Sequence, residues 1–141
     1  MSDVFTAACV QNTAERDVAP TMATLSDLIR RARDAGGDLI MTPEVCAMLE
    51  PRRKLAATKV ELEESNAALA MFKDLAKETG AWILVGSMAV KLSDGDRFAN
   101  RSFLVTPEGD VTAKYDKIHM FDVDVAEGES YRESKGYRPG D

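Results

Sequence analysis

Short apolar runs alternate with helix-length amphipathic stretches in the first 85 residues, and this alternation constrains the fold more than any other feature. Val4–Gln11 (VFTAACVQ) is β-branched and apolar with little charge, which predicts a strand buried on both faces. A helix is predicted over Asp17–Ala35, because Met22, Leu25, Leu28, Ile29 and Ala32 share one face. Pro20 is tolerated in its first turn, and Gly36-Gly37 stops it. Leu39-Ile40-Met41 reads as a second strand and Val45–Lys59 as a looser stretch with room for a short helix. A second clear helix is predicted over Glu61–Thr79, burying Leu69, Phe72, Leu75 and Ala76 and ending at Gly80. Trp82–Val85 is a third buried strand.

The pattern then changes. Ser93-Asp-Gly-Asp96 and Pro107-Glu-Gly-Asp110 are turn sequences that bracket Arg101–Val105 and lead into Val111–Tyr115, giving a hairpin. The order βαβαβ plus a hairpin predicts an α/β layered fold with parallel pairing in its first part. The polar segment Glu127–Asp141 reads as loop. No repeat, linker or low-complexity tract divides the 141 residues, so 1–141 is read as a single domain unit.

Charge narrows the partners. Eighteen basic against 24 acidic residues give a net charge of −6, which argues against a nucleic-acid footprint. No polybasic cluster recommends a membrane surface, and no apolar run approaches the ~18 residues of a spanning helix. The opening residues lack the basic-then-apolar order of a signal peptide, so a cytoplasmic location is expected. The two cysteines, Cys9 and Cys46, are then read as free thiols: Cys9 as inert core, Cys46 as near enough to Glu44 to meet thiol reagents.

Two segments carry chemistry. Glu44 follows a buried strand in Leu39-Ile-Met-Thr-Pro-Glu44, at the carboxyl end where α/β sheets build sites. Pro43 restricts Thr42 to extended geometry, and partial desolvation there would raise the carboxyl toward a general base's range. By local pattern alone a solvated loop glutamate remains open. The second segment, Lys114-Tyr-Asp-Lys117-Ile-His-Met-Phe-Asp-Val-Asp124, packs titratable groups behind the hairpin. A lysine there is placed to donate to a developing oxyanion, although a charged surface loop has the same composition. His119, the only histidine, has no partner spacing for a metal. Phosphate-loop, dinucleotide, CxxC and GxSxG patterns are absent from the sequence.

Together these pieces resemble the nitrilase superfamily of carbon–nitrogen hydrolases, in its Nit-type amidase branch. Thr42-Pro43-Glu44 is similar to the family's Pro-Glu motif, and Lys117-Ile-His-Met-Phe-Asp122 to its Lys-x-His-Leu-Phe-Asp motif. Gly109–Tyr115 resembles the lead-in to that lysine, and Ala7–Asn12 resembles the first strand. Gly128-Glu-Ser-Tyr-Arg-Glu133 resembles the glutamate loop before a Pro-Gly turn, here Pro139-Gly140.

The resemblance implies the N-terminal part of an α-β-β-α sandwich. It also implies a thioester mechanism on a small-molecule amide, with no cofactor or metal: Glu44 as general base, Lys117 as oxyanion stabiliser and Glu133 as a supporting glutamate. Family members act as homo-oligomers, and the motif leans toward amides of dicarboxylates or deaminated glutathione rather than nitriles. Arg132 or Arg138 is placed to meet a substrate carboxylate, with solvation the blander role for each. The family's nucleophilic cysteine follows the Pro-Gly turn, where this sequence stops at Asp141. The expectation is therefore a domain without its nucleophile, silent by itself. A non-catalytic binding or assembly remnant is the alternative, and an unrelated flavodoxin-like module ranks below both.

Overall fold

The computed structural model describes residues 4–126 and 128–141. The first residues of the signal-peptide reading, and Glu127 at the start of the expected terminal loop, lie outside these. Five strands form one sheet in chain order: β1 (Ala7–Cys9), β2 (Leu39–Met41), β3 (Trp82–Lys91), β4 (Phe98–Val105) and β5 (Val111–Asp116). β1, β2 and β3 are parallel, and β4 and β5 each reverse direction. A separate hairpin pairs β6 (Asp122–Ala126) with β7 (Glu129–Arg132).

Helices α1 (Val18–Asp34) and α3 (Ala67–Thr79) make the β1–β2 and β2–β3 connections, and the short α2 (Arg53–Lys59) precedes α3. Two crossovers of the same hand between adjacent parallel strands place both helices on one sheet face. Accordingly, α1 and α3 pack side by side. The core lies between them and the sheet. Met22, Leu25 and Ile29 from α1 meet Phe72, Leu75 and Ala76 from α3 over Ile40, Ile83, Val85, Phe103 and Val105. Eight of these eleven side chains are wholly inaccessible to solvent at 0% exposure (Met22, Leu25, Ile29, Phe72, Ile40, Ile83, Val85 and Phe103 among them). Each large apolar side chain buried this way contributes about 1.5–3 kcal/mol. On the rim, Arg30 reaches Glu78 with two hydrogen bonds of 2.6 and 2.9 Å, joining the helices.

The second predicted helix starts later than its pattern suggested. Glu63–Ser65 forms a 3₁₀ turn, and Asn66 caps α3 by accepting from the Leu69 amide. Gly80, at φ +62°, ends the helix in the left-handed region, as a glycine stop should. The terminal segment is more ordered than the expected loop: it contains β7 and a 3₁₀ turn over Glu133–Lys135.

β1 departs most from expectation. It spans three residues, and Cys9 is exposed instead of lying in the core. The reason is the sheet's second face. The register aligns Ala7 and Cys9 with Leu39 and Met41, and these in turn with Trp82 and Leu84, along the face opposite the helices. Nothing in the chain covers that face, and Trp82 there is 40% exposed. The chain thus forms one helix layer on one sheet, the arrangement of half an α-β-β-α sandwich. Among the described residues, no helix is long and apolar enough to cross a membrane.

Candidate active site

Glu44 leaves the sheet three residues after β2. Lys117 leaves it directly after β5, which two antiparallel reversals return to the direction of β3. Both therefore emerge at the carboxyl edge of the parallel strands, the edge on which α/β sites form. Lys117 Nζ lies 2.9 Å from Glu44 Oε1 and 2.9 Å from Glu133 Oε2. The three residues named from sequence form one cluster, with Lys117 as its bridge.

Glu133 is the most enclosed of the three, with a side chain 14% exposed against 28% for Lys117 and 59% for Glu44. Its loop is pinned at several points. The Phe121 amide donates to Glu133 Oε2 at 2.6 Å, and the Glu133 amide donates back to the Phe121 carbonyl. Downstream, the Phe98 amide donates to the Gly136 carbonyl, and Tyr137 packs edge-on to the Phe98 ring with centroids 5.9 Å apart.

One residue that sequence reading missed completes the cluster. Asn100 Nδ2 donates to Glu44 Oε1 at 2.9 Å and to Glu133 Oε1 at 3.3 Å. Its own carbonyl accepts from the Lys117 amide at 2.9 Å. The residue is 2% exposed, and its buried Oδ1 has no hydrogen-bond partner. The two carboxylates are therefore joined twice, by the Lys117 ammonium and by the Asn100 amide. The available signal was an asparagine inside an otherwise apolar strand pattern, Phe98-Ala-Asn-Arg-Ser-Phe-Leu-Val105.

Electrostatics follow from these contacts. The Lys117 hydrogen bond, aided by Asn100, holds the Glu44 carboxyl below the ordinary glutamate value and outweighs the opposing effect of burial. This corrects the expected upward shift: most of Glu44 is in water, and a cation sits on it. Burial acts to lower the Lys117 pKa, but the hydrogen bonds to Glu44 and Glu133 together carry it above the ordinary lysine value. At neutral pH the site holds a carboxylate and an ammonium in contact.

Cys46 does not join them. It is 1% exposed, its thiol accepts from the Thr42 hydroxyl at 3.3 Å, and burial raises its pKa to about 11. Access to thiol reagents, expected from its nearness to Glu44, is thus closed by packing. Arg132 lines the recess of about 430 Å³ that also holds Glu44, Val45, Lys117, Phe121 and Glu133. Its guanidinium, however, is tied to Asp124 and to the Val123 and Tyr131 carbonyls. Arg138 is bound to Asp94 and stays outside this recess. His119 is exposed. No group of three or more His, Cys, Asp or Glu side chains among the described residues is arranged to hold a metal.

A helix-backed α/β sheet with a Glu–Lys–Glu cluster at its carboxyl edge is the class these features define. The chain belongs to the carbon–nitrogen hydrolase family, whose model matches residues 6–141. It is 36% identical over 110 residues to the deaminated glutathione amidase of Yersinia enterocolitica, an alignment covering 77% of this chain and 38% of that protein. It is 37% identical over 68 residues to the omega-amidase NIT2 of Pongo abelii, covering 48% of this chain and 24% of that one.

Solved structures share the fold. The NitFhit protein of C. elegans superposes with a TM-score of 0.83 at 19% identity, covering 97% of this chain and 33% of its own. A Nesterenkonia amidase of the nitrilase superfamily gives 0.73 at 22% identity, covering 96% and 48%. The chain spans less than half the length of each of these relatives.

Proposed function

We propose that this chain carries the acid–base and oxyanion-stabilising part of an amidase acting on a small-molecule amide through a cysteine thioester. The observation that carries the reading is the single ammonium of Lys117, 2.9 Å from each of two carboxylates that come from distant loops. A lysine so held is fixed in position before substrate arrives, which is what stabilising a transient oxyanion requires.

In this reading Glu44 accepts the proton of the attacking thiol. The thiolate sulfur bonds to the amide carbon, and the carbonyl electrons move to an oxyanion that the Lys117 ammonium stabilises. As the oxyanion collapses, the C–N bond breaks, the nitrogen takes the proton from Glu44, and ammonia leaves a thioester behind. Glu44 then takes a proton from water, hydroxide attacks the thioester, and the thiol is regenerated with release of a carboxylate. Glu133, itself held by the Phe121 amide, keeps Lys117 aimed throughout. As Lys117 turns toward the oxyanion, Glu44 loses part of its cationic partner and becomes more basic at the step where it must take a proton.

Neither Cys9, on the open sheet face, nor the enclosed Cys46 suits the nucleophile's role, so the thiol is assigned to residues following Asp141. The 141-residue chain alone is then silent. In the Nesterenkonia amidase, acrylamide adds to an active-site cysteine, which supports thiol chemistry at the corresponding place. The relatives' names favour ω-amides and deaminated glutathione as substrates, and homo-oligomeric assembly of the whole protein is part of the proposal. The test is ammonia release from a panel of such amides by the gene product extended past Asp141. Loss of turnover in Glu44→Gln and Lys117→Ala supports the reading; full activity in either variant overturns it.

A further inference from the structure

The Glu44 carboxylate is more than half exposed, and its side-chain partners are Asn100 and Lys117. Side-chain packing does little to aim it, so its backbone must. The residue beside it is strained. Val45 has φ +49°, in the left-handed region that a β-branched residue enters only when its surroundings impose it. It is the one non-glycine residue at positive φ among those described.

What imposes the conformation is an irregularity in β3. The β3–β4 register shifts between Val85 and Met88, leaving Gly86 and Ser87 as a bulge. Ser87, 4% exposed, grips the Glu44 turn at three points. Its hydroxyl accepts from the Val45 amide at 2.9 Å, its carbonyl accepts from the Cys46 amide at 2.9 Å, and its amide donates to the Pro43 carbonyl at 3.2 Å. Gly86 lets the turn come this close: a Cβ there would stand 2.0 Å from the Thr42 carbonyl oxygen and 2.5 Å from that of Pro43. The Gly86 amide donates to Thr42 Oγ1 at 3.1 Å, and Ser102 Oγ donates to the Gly86 carbonyl at 2.5 Å, which fixes the bulge to β4.

We propose that Ser87 is the positioning residue for Glu44, its hydroxyl and backbone holding the 43–46 turn in the left-handed conformation that aims the carboxylate at Lys117. Of the three grips, only the hydroxyl depends on the side chain, and it satisfies the amide of the strained residue itself. Removing it leaves an enclosed N–H unpaired and frees Val45 to relax toward negative φ, which swings Glu44 off Lys117. The catalytic consequence rests on the reading of Glu44 as the base, but the geometric claim does not.

The test is a ¹³C NMR titration of the Glu44 carboxyl in the full chain. The charged groups around that carboxyl are Lys117 and Glu133, with Tyr137 nearby. In the native chain Glu44 titrates below the ordinary glutamate value. In Ser87→Ala it returns toward that value. In Ser87→Ala/Val45→Gly it moves back down, because glycine holds φ +49° without a Cβ clash. A folded Ser87→Ala chain in which Glu44 titrates as in the native one overturns the proposal, as does a double variant no better than the single. Should Ser87→Ala not fold, Val45→Gly alone decides: a native Glu44 titration supports the Ser87 grip, and an ordinary one assigns the aiming to the Val45 side chain instead. No arm needs turnover, so the outcome is independent of whether Glu44→Gln abolishes amide hydrolysis.

Discussion

Lys117 Nζ lies 2.9 Å from Glu44 Oε1 across 73 positions of sequence. Two architectural facts bring them together. A parallel strand delivers Glu44 to the carboxyl edge of the sheet, and two successive reversals deliver Lys117 to the same edge. Glu133 arrives from the β6–β7 hairpin and closes the ammonium from the other side at 2.9 Å.

This bridge makes stability depend on pH at both ends. A carboxyl whose folded pKa is depressed contributes stability above its unfolded pKa and loses it as pH falls through the folded one. A lysine whose folded pKa is raised contributes below its unfolded pKa, about 10.4, and loses it as pH rises through the folded one. Replacing Lys117 with Met should therefore destabilise the chain most between about pH 5 and pH 10, by roughly 1 kcal/mol for so accessible a bridge. Urea unfolding of both proteins at pH 3, 7 and 11 measures it. A difference that is the same at all three pH values would exclude the bridge as its source.

Asn100 should tolerate change less well than either charged partner. It is enclosed, and its amide faces two carboxylates. Asn100→Asp converts a donor into a third negative charge among acceptors, an uncompensated buried charge of the kind that costs about 3–5 kcal/mol. Asn100→Ala removes the donor but adds no charge, and costs about 1–3 kcal/mol. Denaturant midpoints for the two variants should fall in that order. Equal midpoints would mean that the Asn100 contacts to Glu44 and Glu133 carry no weight.

How much of this was legible in the sequence depends on the range of the interaction involved. The helices and strands follow from local periodicity, and Glu44 and Lys117 from motifs within a few residues of each. Asn100 was not legible, because its importance comes from the β4 register that points it at two distant carboxylates, and a single polar residue in a strand has no pattern of its own. The Gly86–Ser87 bulge was hidden for a related reason: it is defined by a mismatch between two strands. Cys9 and Cys46 were misjudged in opposite directions. Apolar neighbours in β1 suggested enclosure, yet a strand residue is enclosed only if a layer covers its face. Proximity to Glu44 in sequence suggested access for Cys46, yet the Val45 turn directs that thiol inward.

The same contrast predicts thiol reactivity. At pH 8 Cys9 should react with a disulfide reagent such as DTNB in the native chain. Cys46, enclosed and with its pKa raised to about 11, should react only on unfolding. Thiol counting should give one equivalent under native conditions and two in denaturant. Cys9→Ser should reduce the native value to zero. Rapid native labelling of Cys46 would show that the Val45–Cys46 turn opens readily, contrary to the tight Ser87 contacts.

Gly86→Ala tests the close approach of β3 to the Glu44 turn. The added Cβ would meet two backbone carbonyls at 2.0 and 2.5 Å, and backbone oxygens cannot swing aside as side-chain tips do. Either the turn moves or the bulge does, at a cost of about 1–3 kcal/mol, the range found for overpacked interiors. Because the turn carries Glu44, the loss of stability should come with a rise of the Glu44 carboxyl toward its ordinary pKa in the same NMR titration. A Gly86→Ala chain that keeps native stability would show that this contact is looser than drawn.

The uncovered sheet face should make the chain associate. Phe5, Leu39, Trp82 and Leu104 line a hollow of about 410 Å³ there, and Phe5 is 65% and Trp82 40% exposed. Contiguous apolar surface of this kind seeks a partner, and β1 adds an unpaired strand edge beside it. In sizing chromatography the 141-residue chain should elute above its monomer mass of 15.4 kDa, increasingly so as concentration rises. The Trp82 emission should shift to shorter wavelength as it does. Trp82→Glu puts a charge in the middle of the face and should return the chain toward monomer without disturbing the helix-side core, which Trp82 does not join. A native chain that remains monomeric at every concentration, with unshifted Trp82 emission, would mean that this face is covered by some arrangement other than association.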